Sequence, residues 1–149
     1  MEPLETRSDT RSKLIAASTE EVFAAMSDPV RVARWWGPEG FTNTIRVFEF
    51  RPGGRWLLTM HGPDGKDYPN ESRFGRIVAN RVVEIEHLSG HHFLLTIQLQ
   101  DQGPITQVCW QQAFDTAEHY AQIAAFVAAA NEQNLERLAA EVRRAKSSA

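Results

Sequence analysis

Histidine exchanges a proton more readily near neutral pH than any other side chain, and His87 is the one whose spacing invites chemistry. It follows Val83 and Ile85 at every second position, so on a strand all three share one face. Pointing inward, it can serve as acid, base or hydrogen-bond donor. A core imidazole with its bonds satisfied shows the same spacing. Tyr68 is the second acid–base candidate. His61 lies beside a hairpin turn and is expected in solvent. His91 and His92 are read as adjacent strand residues facing opposite ways, which bars them from chelating one metal together. There is no His-Glu-x-x-His run, and Cys109 has no second cysteine to join it, so neither a metal nor a cofactor is expected. Cys109 also lacks an assignable basic partner, which removes the case for a thiol nucleophile.

Aromatic residues supply the next candidates. Trp35 and Trp36 can close a pocket's mouth or pack in the core. Trp56, Leu58 and Met60 alternate along one stretch, Val108 and Trp110 along another, and Phe74 lies between them in the chain. Such faces suit a pocket wall and an ordinary core equally. Tyr120, Ile123, Val127, Asn131 and Asn134 recur at helical spacing. The two asparagines interrupt an apolar stripe: either they face a wet cavity, or they touch solvent. With Asn131 facing a wet cavity, the favoured alternative, Asn131→Leu is expected to weaken ligand binding and keep or raise stability; with Asn131 hydrogen-bonded in a packed core it is expected to cost about 1–3 kcal/mol, and on the solvent face to stay within about ±0.5 kcal/mol.

These residues need elements to hold them. Thr10 to Ile15 reads as a strand. Ser18-Thr19-Glu20-Glu21 is a capping box opening a helix to about Ser27, and Asp28-Pro29 restarts a second helix with Pro at its first position. Six strands follow at about 42–50, 54–61, 68–78, 82–88, 92–100 and 105–114, divided by Gly- and Pro-bearing turns such as Arg51-Pro52-Gly53-Gly54 and Gly62-Pro63-Asp64-Gly65. Short connections favour antiparallel pairing. After Asp115-Thr116, the chain from Ala117 to about Ala145 is rich in helix formers and free of Gly and Pro. Residues 1–8 and 146–149 are expected to fray. The order gives an α+β domain: a curved seven-stranded antiparallel sheet around a long C-terminal helix, with two short helices between strands 1 and 2 and a pocket between sheet and helix.

The motifs resemble a known family. Ile15 to Phe23, Ser27-Asp28-Pro29 ahead of Trp35-Trp36-Gly37-Pro38, the Arg51-Pro52-Gly53-Gly54-Arg55-Trp56 turn and the Met60-His61-Gly62-Pro63-Asp64-Gly65 hairpin together resemble the activator of heat shock protein 90 ATPase homologue family. That family lies within the START-like (SRPBCC, birch-pollen-allergen-like) superfamily. The resemblance spans about residues 8–145. It implies the helix-grip fold and a stand-alone member without the N-terminal domain of the eukaryotic activator. It also implies a cavity under the long helix, used across the superfamily for carriage, cyclisation and hormone reception. Ser72 and Arg76 stand where the family pattern has a glycine and an acid.

At 149 residues, 42% hydrophobic and 23% charged, the chain fits one globular domain. A net charge of −3 gives no reason to expect a nucleic-acid partner, and no apolar run suits membrane insertion. The N-terminus lacks a signal-peptide pattern, so a cytoplasmic location is expected. The expected function is binding of a small apolar or amphipathic molecule by Trp35, Trp36, Trp56, Met60, Tyr68, Phe74, His87, Trp110, Tyr120, Ile123, Val127 and Asn131. A cyclase- or hydrolase-type enzyme using His87 or Tyr68, and a chaperone-contacting module, are the alternatives. A homodimer is expected as the form of association.

Overall fold

A computed structural model describes residues 2–148. A turn of 3-10 helix at Leu4–Thr6 leads into β1 (Ser8–Ile15). Then come α1 (Thr19–Ser27), α2 (Pro29–Trp35), β2 (Thr42–Phe48), β3 (Arg55–His61), β4 (Asp67–Val78), β5 (Val82–His87), β6 (Phe93–Gln102), β7 (Ile105–Phe114) and α3 (Ala117–Ser147). The strands form one seven-stranded sheet in the order β1-β7-β6-β5-β4-β3-β2, antiparallel at every step. This is the expected α+β helix-grip architecture.

Local chemistry sets the helix starts. Glu21 N donates to Ser18 Oγ at 3.1 Å and Ser18 N donates to Glu21 Oε1 at 2.9 Å, which satisfies two otherwise orphaned donors. Asp28 Oδ1 accepts from Val30 N at 2.9 Å with Pro29 opening α2. Thr116 Oγ1 accepts from His119 N at 3.1 Å. β1 and β2 lie on opposite sheet edges, so α1 and α2 must carry the chain across one end of the curve.

Three local expectations are corrected. The N-terminus holds a 3-10 turn, because Thr6 N and Arg7 N donate back to the carbonyls of Pro3 and Leu4. His91 and His92 are not on a strand. Gly90 takes a φ of +69°, Leu88 N and Ser89 N both donate to the Glu71 carbonyl, and pairing resumes only at Phe93 opposite Phe114. α3 also runs to Ser147, past the expected Ala145.

The core fills the concave side. Trp35, Trp56, Trp110, Phe114, Leu58, Leu95, Ile97, Leu135 and Leu138 are buried, each worth about 1.5–3 kcal/mol relative to exposure. Trp36 meets Trp35, Trp56 and Trp110 with ring centroids 5.6, 4.7 and 6.3 Å away. The indole N–H groups of Trp56 and Trp110 are buried with no acceptor among the described residues, so these two rings are held by packing.

The C-terminal half of α3 is clamped by polar contacts. Asn131 Nδ2 donates to Asp9 Oδ2 on β1 at 2.9 Å and to Gln112 Oε1 on β7 at 3.1 Å. Burial acts to raise the Asp9 carboxyl, but the bonds from Arg11 and Asn131 outweigh it and hold the group below the ordinary value. Buried Glu141 accepts from Arg31 Nε at 2.8 Å and from Arg144 Nε at 2.9 Å. Glu132 and Glu136 pair with Arg11 and Lys13 of β1. These bonds argue against the expectation that Asn131→Leu would keep stability: the amide is committed, and leucine would take one donor from Asp9, which keeps Arg11, and the Asn131 donor from Gln112.

Candidate functional site

A cavity of about 720 Å³ lies between the sheet and α3, within the range of small-molecule sites, about 300–1,000 Å³. Alternation aims its wall residues. β3 turns Leu58 and Met60 inward, β4 contributes Tyr68, Asn70 and Ser72, β5 ends on His87, and β7 presents Trp110, Gln112 and Phe114. α3 closes the space with Ile123, Phe126, Val127, Ala130, Asn131 and Asn134, one stripe at three- and four-residue intervals. The segment after α2 supplies Trp36, Gly37, Pro38 and Phe41.

That segment is held from α3 by a residue the sequence reading did not single out. Arg137 Nη1 donates to the carbonyls of Trp36, Gly37 and Pro38 at 3.0, 2.8 and 2.9 Å, and Nη2 to those of Arg34 and Phe41 at 2.8 and 2.9 Å. Asn134 Nδ2 adds a bond to the Trp35 carbonyl at 3.0 Å. Gly37 has φ +93°, and a Cβ there would come within 2.8 Å of Met60 Cε, so the turn that seats Trp36 needs glycine.

The twelve residues named from sequence divide three ways. Trp36, Met60, Tyr68, His87, Trp110, Ile123, Val127 and Asn131 come together on the cavity wall. Trp35, Trp56 and Phe74 sit instead in the packed core behind it; Trp35 Nε1 donates to the Ala25 carbonyl at 2.9 Å, and Trp56 stacks on Phe74 with centroids 5.7 Å apart. Tyr120 is half-buried and stacks on Phe114 at 5.8 Å, beyond the wall.

The wall carries Tyr68, His87 and His91 as its titratable side chains, and no Lys, Arg, Asp or Glu among the described residues. Tyr68 is at the rim, 40% exposed. Its hydroxyl donates to Asp64 Oδ2 at 2.6 Å, and that bond, followed by burial, raises its pKa. His87 is half-buried. Its Nδ1 lies 2.8 Å from the His91 carbonyl and its Nε2 2.6 Å from Asn70 Oδ1. The ring stacks on Phe93 with centroids 4.6 Å apart. Burial, then the charge of His92, pushes its pKa down against the bond to the His91 carbonyl. His91 is lowered too, by burial first and then by His87 and His119.

The remaining histidines face elsewhere. His92 lies between Asp115 Oδ1 at 2.7 Å and Glu86 Oε2 at 2.8 Å, bonds that raise its pKa. His61 faces the convex side, 2.7 Å from both Thr44 Oγ1 and Asp67 Oδ1. A hydroxyl–imidazole–carboxylate chain is the geometry of a nucleophile triad, but this one lies off the cavity. Among the described residues no group of three or more His, Cys, Asp or Glu side chains is placed to hold a metal ion. No helix there is long and apolar enough to cross a membrane.

Sequence reasoning missed Asn70, His91, Phe126 and Arg137. Asn70 was detectable by its alternation with Tyr68 and Ser72, and Phe126 by its three-residue spacing from Ile123. Arg137 carried no local signal, since its partners lie about a hundred residues away.

No curated protein matches the chain. Among solved structures, a protein from Nitrosomonas europaea superposes with a TM-score of 0.87 at 16% identity, covering 95% of this chain and 97% of that one. One from Arthrobacter aurescens gives 0.86 at 22%, covering 97% and 90%. An AHSA1-like protein from Aeromonas hydrophila gives 0.71 at 22%, covering 93% and 94%. At such identities the likeness shows the fold. The model of the family described as "Activator of Hsp90 ATPase homolog 1-like protein" matches residues 16–143, and to that family the chain belongs.

Proposed function

We propose that this protein binds a small, mostly apolar molecule in the cavity between sheet and α3. The observation that carries the reading is the cavity itself: about 720 Å³ walled chiefly by aromatic and aliphatic side chains. A void of that size and lining is expensive to keep empty, because wall atoms forgo their contacts. Phe126 supports an entrance at α3: it lines the space yet is 70% exposed. Binding is favoured over catalysis because Tyr68, one of the two acid–base candidates, spends its hydroxyl on Asp64 outside the wall. Contact with the Hsp90 chaperone is suggested only by the family's description.

Native mass spectrometry of freshly purified protein tests the reading. The expected result is a non-covalent mass on the 16.8 kDa chain, diminished in Ala130→Trp, which fills the space. A bare chain that also leaves apolar fluorescent probes unbound would overturn it.

A further inference from the structure

The polar side chains of the cavity fall into two sets: Gln112 with Asn131 and Asn134 on β7 and α3, the asparagines committed to Asp9, Gln112 and the Trp35 carbonyl, and a second set around His87. Asn70 and Ser72 on β4, His87 on β5 and His91 on the following loop meet at one end; Ser72 is the cross-strand partner of His87. Trp36, Leu58, Val127 and Phe126 give the rest of the lining apolar surface, and the polar side chains beside them, Asn131 and Asn134, are already hydrogen-bonded within the protein.

At that end the hydrogen bonds of His87 do not close. The His91 carbonyl can only accept, so Nδ1 carries a proton. Nε2 then faces Asn70 Oδ1 at 2.6 Å, also an acceptor, because the Asn70 amide nitrogen is spent on the Tyr68 carbonyl at 2.8 Å. Turning the amide over moves the conflict to Tyr68 without removing it. Only an imidazolium satisfies both acceptors. Yet the ring is half-buried, it stacks on Phe93, and among the described residues no carboxylate side chain lines the cavity. The surrounding titratable groups make matters worse: His91 on the loop has its ring 5.7 Å away, and His119 of α3 lies 5.5 Å beyond it. The carboxylates of Glu86 and Asp115 are engaged by His92. Tyr68 is bonded to Asp64 at the rim. His92, pinned between two carboxylates, shows what His87 lacks.

We propose that the cavity takes an amphipathic carboxylic acid, its carboxylate seated at His87 beside Asn70 and His91, its apolar body lying toward Trp36 and Phe126. The inference rests on the cavity-binding reading above. A carboxylate supplies the single negative charge that lets His87 hold its second proton, so binding takes up a proton near neutral pH. A phosphate or sulfonate fits less well, since such anions are met by Arg, Lys or helix N-termini, and the wall offers none of these.

The test uses matched probes, dodecanoate against 1-dodecanol and 2-naphthylacetate against 2-naphthaleneethanol, followed by quenching of Trp36 and Trp110, which line the cavity. At about pH 6 the intact protein is expected to bind each acid about tenfold or more tighter than its alcohol, an advantage that shrinks toward about pH 8. His87→Phe keeps the stack on Phe93 and should equalise acid and alcohol. Asn70→Asp places the missing charge in the wall and should do the same while alcohol binding persists. Acid and alcohol bound alike by the intact protein, or an acid advantage that survives both variants, would overturn this inference alone. Failure to bind either member of both pairs would overturn the cavity reading with it.

Discussion

Asn131 on α3 donates its amide to Asp9 on β1 at 2.9 Å, across 122 residues of chain. The bond joins the first strand to the last helix at the back wall of the cavity. Arg11 braces the same carboxylate at 2.8 and 2.9 Å and reaches on to Glu132. Asn131→Leu removes the donor and leaves Asp9 with one charged partner, and the added methyls crowd Gln112. We expect a loss of about 1–3 kcal/mol in chemical denaturation. A stability equal to or above that of the unaltered protein would mean the amide contributes nothing to closing the fold.

Arg137→Met should act on both the fold and the mouth of the cavity. Methionine keeps much of the stem but removes a donor from five carbonyls of residues 34–41, of which that of Trp36 keeps Asn43 Nδ2 at 2.9 Å and that of Pro38 keeps Phe41 N at 3.2 Å. The expected cost is about 2–4 kcal/mol, accompanied by a shift in tryptophan emission, because Trp36 is seated by that segment. Arg137→Lys should recover only part, since an ammonium cannot fan across five acceptors.

Phe126→Ser separates site from core. The ring is 70% exposed, so unfolding free energy should stay within about ±0.5 kcal/mol. Binding of an apolar probe in the cavity should weaken nonetheless, because the ring lines the entrance. Unchanged affinity in a fluorescence titration would place the entrance away from α3.

His92 predicts the sign of one pH effect. Bonds to Asp115 and then Glu86 raise its folded pKa above the ordinary imidazole value. The native state therefore holds its proton more tightly than the unfolded chain does. Its stabilisation is fully present below the unfolded pKa, about 6.5, and is lost as pH rises through the folded pKa. The stability difference between the unaltered protein and His92→Gln should be found at acidic pH and vanish in mild alkali. A difference independent of pH would show that the ring acts by packing. His87 and His91 work in the opposite sense: burial lowers their folded values, so their contribution declines as pH falls through the ordinary histidine range.

What the sequence determined by itself was whatever acts over a few residues. The Ser18–Glu21 capping box, the Asp28-Pro29 restart, the Thr116 cap and the inward phase of Val83, Ile85 and His87 each follow from neighbours within one turn or one pleat. The antiparallel run from β2 to β7 followed from short connections, and the long helix from the absence of breakers; the pairing of β1 with β7 joins segments about a hundred residues apart. The tertiary structure alone decided which inward-facing residues meet open space. Trp56, Phe74 and Trp110 share an inward phase with His87, yet Trp56 and Phe74 are buried in packing while Trp110 borders the cavity. Alternation fixes only the face of a strand; whether that face meets a side chain or a void depends on how far the curved sheet stands from α3. The same distance brings Asn131 to Asp9 and Arg137 to the carbonyls after α2. No local pattern encodes those pairings, because their partners are about a hundred residues apart and become neighbours only when the sheet closes around the helix.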